Sequence, residues 1–218
     1  VFQLESSGMK QVLVGLQPQN LEDVIALISL YRPGPMDSIP TYLRNRHEPD
    51  KISYKTPQLA HILDVTNGCI VYQEQVMQIF RELAGFSFGQ ADNVRRAMSK
   101  KKHAVMEAER EHFVHGCTEP GHECPGCVAN GISEKVANEI YDEMSSFASY
   151  AFNKSHAACY AYVAFQTAYL KCHYPSEFMA ALLTSVLDNT DKVIEYSGEC
   201  ARLGIKVLPP DVNISNGG

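Results

Sequence analysis

No stretch of this chain is both long and apolar enough to cross a bilayer: the run 157–170 is too short and carries Gln166. A secretory signal is missing at Val1. Positive charge is scarce: 19 Lys and Arg stand against 25 Asp and Glu, a net charge of -6. A protein that wraps nucleic acid with its whole surface is usually basic, so any phosphate binding here has to be local. There is no compact D-x-D pair, and a metal-bound phosphoryl-transfer centre needs two or three carboxylates gathered around divalent cations. Internal repeats and low-complexity segments are absent as well. The first residue is Val rather than Met and the last six are Asn213-Ile214-Ser215-Asn216-Gly217-Gly218, which reads as a piece excised from a longer protein.

What is present is enough apolar sequence, 45% of 218 residues, for one or two domains with a real core. Seven Cys, an odd number, without a secretory signal argue for a reducing, cytoplasmic setting with free or metal-bound thiols. Most of the chain reads as helix. Asn20 caps a helix over 21–31 that the Arg32-Pro33-Gly34-Pro35 turn stops. A short amphipathic element around Tyr42 and Leu43 precedes a polar connector at 48–56. Further helices are expected over 58–63, 73–83, 90–98, 103–114 and from Ser133 to Phe147. The run 157–174 is apolar nearly all round and predicts a central buried helix that Pro175 breaks. Ser176 is expected to cap the next helix, and 188–203 holds the last. Short strands are expected at 69–72 and 205–208.

Three constellations carry chemistry. Asn153, Lys154, Ser155 and His156 place four polar, donor-bearing residues inside an apolar run at a helix start, where donors suit an anion. The alternative is an ordinary cap by Asn153 or Ser155 with Lys154 in solvent. Upstream, Arg95, Arg96, Lys100, Lys101 and Lys102 put five cations within eight residues, able to hold triphosphate or backbone phosphate oxygens. A solvated basic face is the competing reading. Cys117, Cys124 and Cys127 stand as C-x6-C-x2-C, with His115 and His122 nearby, and three thiols plus one imidazole would complete a tetrahedral zinc site. A plain surface loop over 115–131 is the other possibility. Cys69, Cys159, Cys172 and Cys200 lie in apolar contexts and read as core. Asp37, a lone carboxylate in a rigid turn, is by itself a turn former. The Tyr72-Gln73-Glu74-Gln75 segment either fixes a neighbouring element or touches nucleic acid.

Several strings are long and specific: VFQLES at 1–6, IALISLYRPGPMDSIP at 25–40, IVYQEQVMQI at 70–79, ADNVRRAMSKKK at 91–102, YAFNKSHAACYAYVAFQTAYLKCHYPSEFMAALLTSV at 150–186 and LPPDVN at 208–213. In this order and spacing the chain resembles the bacterial replicative polymerases of the C family, the DNA polymerase III alpha subunits. The resemblance implies a mainly α fold: the end of the palm, a short α/β segment, at 1–47, and a helical fingers domain with few short strands at 48–218. It implies DNA-directed DNA polymerase activity, template-directed transfer of dNMP from dNTP to a primer 3'-hydroxyl with two Mg2+ ions. Asp37 would be the third metal carboxylate, and the D-x-D pair would lie upstream of Val1. Arg95, Arg96, Lys100, Lys101, Lys102, Asn153, Lys154, Ser155 and His156 would bind nucleotide or template-primer phosphates, with Tyr150 or Phe152 beside the nascent pair or in the core. The sliding clamp and clamp loader would be met through parts outside this chain, and this piece alone would be inactive. The Cys-rich loop, where zinc would sit, has no catalytic implication. The competing reading is a non-catalytic helical module that binds nucleic acid through the basic run and a zinc loop; a bland helical interaction domain is a third.

Overall fold

The computed structural model describes residues 1–100, 103–148, 150–209, 211 and 213. Among them the chain forms twelve α-helices with short 3-10 turns, and its only β pairing is two isolated bridges. The mainly α expectation is met, while the expected strands shrink: 69–72 contributes one bridge, at Tyr72, and 205–208 contributes none.

Two compact units divide the described residues, Glu5–Tyr162 and Val1–Leu4 with the residues from Val163 onward. The larger begins with α1 (Ser7–Leu16), a helix the sequence reading leaves out. Ser6 caps it by accepting from the Met9 amide. Gly8 lets it approach the end of the next helix, because a Cβ there would overlap the Tyr31 hydroxyl. In α2 (Leu21–Leu30) Asn20 is the N-cap, accepting from the Asp23 amide at 3.0 Å. A 3-10 turn (Pro35–Ser38) leads into α3 (Ile39–His47), whose Arg46 meets the buried Asp23 carboxylate at 3.3 Å. A buried acid without such a partner would be strongly unfavourable.

After α4 (Ala60–Leu63) come α5 (Gln73–Ala84), α6 (Phe88–Ser99), α7 (His103–His115), α8 (Gly126–Ala129) and α9 (Glu134–Ala148). Their apolar faces build one core around Phe80, whose ring meets Phe113 edge-on at 5.0 Å and Tyr141 at 6.0 Å. Gly85, at φ +75°, ends α5, and a Ser87–Gln90 capping box starts α6.

The helix α10 (Lys154–His173) contributes to the larger unit through Tyr162 and to the smaller one beyond it. It is not the buried helix its composition predicts. Only Ala157, Ala161 and Ala164 are buried, a single narrow stripe, while Tyr162, Phe165, Tyr169 and Leu170 are exposed. Alanines at such spacing pack a helix by one edge, and the larger residues around them fall outside that edge. In the smaller unit α11 (Pro175–Thr184) starts at Pro175 rather than behind a Ser176 cap, the first-turn position that suits proline. It packs on α12 (Thr190–Arg202). Cys69 and Cys200 are buried as expected, but Cys159 and Cys172 are exposed on α10.

Candidate functional site

Within the cysteine loop Cys124 and Cys127 are buried and Cys117 is half-buried. Cys117 and Cys124 exchange backbone hydrogen bonds, 2.9 Å each way. Gly116, at φ +87°, lies so close to this crossing that a Cβ would strike the carbonyl oxygens of Cys124 and Pro125. Cys127 is fully buried in the core, which pushes its thiol up to about 12, and burial raises Cys124 too. Among the described residues no three His, Cys, Asp or Glu side chains gather as a metal-holding group. His122 is exposed, and His115, at the end of α7, lies 3.9 Å from Glu111 and 4.0 Å from Glu134. The zinc set expected from Cys117, Cys124, Cys127 and His115 or His122 is therefore not assembled.

Three of the phosphate candidates, Arg95, Asn153 and Lys154, meet at the first turn of α5. The segment before α10 pairs with the strand-like entry to α5: the Phe152 amide donates to the Val71 carbonyl at 3.1 Å, and the Gln73 amide to the Phe152 carbonyl at 2.9 Å. Gln73 then joins two elements, since its amide nitrogen donates to the Ala151 carbonyl at 3.1 Å and its oxygen accepts from Arg95 at 3.0 Å. Glu74 accepts from the Asn153 side chain at 3.0 Å and from the Lys154 amide at 3.1 Å, so a carboxylate sits at the positive end of α10. Asn153 is the cap of α10, its Oδ1 accepting from the His156 amide at 2.9 Å. The segment that the sequence left undecided is thus the clamp between the two cationic elements.

The turn carrying Asp37 reaches the same place. Arg32 donates to the Ser29 carbonyl at 2.9 Å and the Tyr150 carbonyl at 2.8 Å, and its guanidinium lies 4.1 Å over the Phe152 ring. Burial lowers the pKa of this guanidinium. Gly34, at φ +103°, lies under the Tyr150 ring, where a Cβ would overlap it. Phe152 continues to His156 at 5.4 Å and His156 to Tyr160 at 4.5 Å, an aromatic row along the start of α10. Asp37 itself is exposed.

Most of the described cations are already answered. Asp92 takes Arg95 at 2.7 Å and Arg96 at 2.8 Å, and the Arg95 hydrogen bond holds its carboxyl below the usual carboxylate range. Arg95 is 18% exposed against 64% for Arg96, so Arg96 is the one that faces solvent. Lys154 meets Glu22 at 2.9 Å and lies 5.3 Å over the Tyr72 ring. Lys100 caps the end of α6 and is exposed, as are Ser155 and His156. Lys101 and Lys102 lie outside the described residues. The hydroxyl of Tyr72, whose ring lies under Lys154, and that of Tyr42 are buried without a hydrogen-bond partner among the described residues, and burial holds both well above their ordinary pKa. Arg32, Gln73, Glu74, Glu22 and Asp92 were not singled out from the sequence as site residues. The polar run at 72–75 gave a signal for Gln73 and Glu74; Arg32 meets Tyr150 across 118 positions of chain, while Asp92, three and four residues before Arg95 and Arg96, carried a local helical-pair signal that the reading passed over.

A sequence model of the bacterial DNA polymerase III alpha subunit finger domain matches residues 1–121. The chain is 51% identical over 220 residues to the DNA polymerase III subunit alpha of Thermus aquaticus, covering 99% of this chain and 17% of that protein. It is 48% identical to the subunits of Pasteurella multocida and Bacillus subtilis, covering 98% and 99% of this chain and 18% of each relative. The chain spans less than a fifth of the length of these relatives. On this similarity, carried across nearly all its residues, the chain belongs to the bacterial DNA polymerase III alpha subunit finger domain family.

Proposed function

We propose that this chain forms the nucleotide-facing part of a DNA-directed DNA polymerase, with the end of the palm at 1–47 and the fingers at 48–218. The observation that carries the reading is the convergence at the start of α5. The Asp37 turn, the Arg95–Arg96 helix and the N-terminus of α10 are tied there by Arg32, Gln73 and Glu74. Arg96, Lys100, Ser155 and His156 supply exposed donors to the phosphates of a dNTP or of a template-primer. Lys154 and Arg95 stand behind them, held by Glu22, Asp92 and Gln73. Their role is positional and electrostatic, the main protein contribution to phosphoryl transfer. The aromatic row from Phe152 to Tyr160 offers flat apolar surface beside these donors.

A pair of Mg2+ ions does not fit the described residues, which gather no metal-holding group. Asp37 would supply one carboxylate, with the others from segments beyond this chain, and the isolated chain is expected to bind nucleotide without incorporating it. Primer-template DNA, a cytoplasmic setting, and a sliding clamp and clamp loader met outside this chain belong to the same proposal. A non-catalytic helical nucleic-acid-binding module is the second reading; the exposed Arg96 and Lys100 would serve it equally well.

Primer extension by the full-length polymerase separates the two. Asp37→Asn is expected to abolish extension with the protein still folded, and Arg96→Ala to raise the KM for dNTP. Normal extension by Asp37→Asn would withdraw the carboxylate role, and no extension by the unaltered enzyme would favour the non-catalytic module.

A further inference from the structure

A polar cavity of about 350 Å3 lies in the larger unit, lined by α3, the segment 51–68 and Glu143. Pockets for small ligands commonly hold on the order of 300–1,000 Å3. Its wall is fixed. Asn45 donates to the Asn67 carbonyl at 2.7 Å, and Gly68, at φ +80°, packs so tightly that a Cβ would stand 2.7 Å from the Ile52 methyl.

The charges in this wall are not equivalent. Lys51 is paired with Glu48 at 2.9 Å, and Lys55 with Glu143 at 2.9 Å. The two carboxylates that would repel an anion are thereby answered. Arg44 has no carboxylate within 4.0 Å among the described residues, although Arg44 and Glu143 both act on the buried Cys69 thiol. A guanidinium without a carboxylate, beside the hydroxyl residues Thr41 and Ser53, suits a phosphate. The lining also has an apolar part: Leu59 and Leu63 are buried apolar residues, and Tyr54 packs against the same core. An aromatic and an aliphatic surface beside an Arg is how a base and its phosphate are held together.

We propose that this cavity is a subsite for one nucleoside 5'-phosphate unit, its phosphate on Arg44 and its base against Tyr54, Leu59 and Leu63. The choice of a nucleotide rests on the polymerase reading; the cavity's chemistry does not. The unit could come from a free nucleotide or from single-stranded DNA.

The test is a titration of the isotopically labelled chain followed by backbone amide NMR, with dTMP, a roughly eight-residue oligothymidylate, deoxythymidine and inorganic phosphate as probes. Amides at 41–45 and 53–54 are expected to shift with dTMP, and with the nucleoside or phosphate alone only at much higher concentration. Arg44→Gln should weaken dTMP about tenfold, the loss of one charge-assisted contact. Ser53→Ala, which removes only a hydroxyl, should weaken it less and covers the case in which Arg44→Gln unfolds. A response to the oligomer at lower concentration than to dTMP identifies single-stranded DNA as the source, and a response to dTMP alone identifies free nucleotide. Silence at these amides, equal affinity for inorganic phosphate and dTMP, or undiminished binding by folded Arg44→Gln overturns the proposal. Amides at 95–96 and 154–156, followed in the same spectra with a dNTP, report on the polymerase reading separately. A shift there with a silent cavity defeats only the subsite.

Discussion

At the scale of single residues, the site depends on two positions where the backbone and its neighbours leave little choice. Gly34 combines φ +103° with the Tyr150 ring lying where a Cβ would project. Arg32, two residues before it, spends its guanidinium on two carbonyls and the Phe152 face. Together they fasten the Asp37 turn to the approach of α10. Gly34→Ala is therefore expected to destabilise the larger unit by about 2–3 kcal/mol, from the left-handed backbone and the displaced ring together. Urea unfolding measures this; an unchanged midpoint would show that the Tyr150 ring moves aside without cost. The sequence marked Arg32 to Pro35 as a turn, because Pro and Gly punctuate chains locally. It could not mark Arg32 as the tie to Tyr150, since that contact is made by folding across 118 positions.

At the scale of elements, α10 to α12 illustrate a charge-held contact that pH can weaken. In the smaller unit Glu199 on α12 meets Lys171 and Arg202, both at 2.6 Å. Hydrogen bonds from Arg202 and then Lys171 bring its carboxyl down to about 2, from 4.5. The folded state thus binds this proton more weakly than the unfolded state. The contact's full contribution is present above about pH 4.5 and is lost as pH falls toward 2. Denaturant unfolding followed from pH 6 to pH 3 should show a smaller loss of stability in Glu199→Gln than in the unaltered chain. Equal slopes would mean that solvent screens the network, as it does for most exposed pairs. The helices themselves were largely legible. Asn20 before α2, the Val76–Ile79–Phe80–Leu83 face of α5 and Gly85 after it are local signals, and each element stands where they place it. The misreadings have a common cause. For α10, composition showed how apolar the helix is, but not which neighbours cover it. For α1, Gly8 and Gly15 weakened the helical signal, although Gly8 is what allows the close approach to Tyr31.

At the scale of the molecule, a net charge of -6 has to be reconciled with the proposed role at phosphates. The arrangement around α5 does this by pairing. Asp92 is shared by Arg95 and Arg96, and Glu22 holds Lys154, so two carboxylates offset most of the charge of these three cations in the ligand-free chain. A triphosphate reaching them competes with these carboxylates, and the Arg95 hydrogen bond holds the Asp92 carboxyl below the usual carboxylate range. Removing that competitor without removing a cation is informative. Asp92→Asn keeps a side chain of the same shape, and Gln73 still accepts from Arg95 at 3.0 Å. The substitution is expected to raise the affinity of the chain for a dNTP by about three- to tenfold at low salt, since it releases attraction on the order of 1 kcal/mol at partly exposed sites. The gain should shrink as salt rises, because exposed charges are screened beyond about 10 Å at 0.1 M. Calorimetric titration at two ionic strengths checks both statements. A fall in affinity would mean that Asp92 acts instead by holding the two guanidinia in place, so that their orientation matters more to the phosphates than their charge.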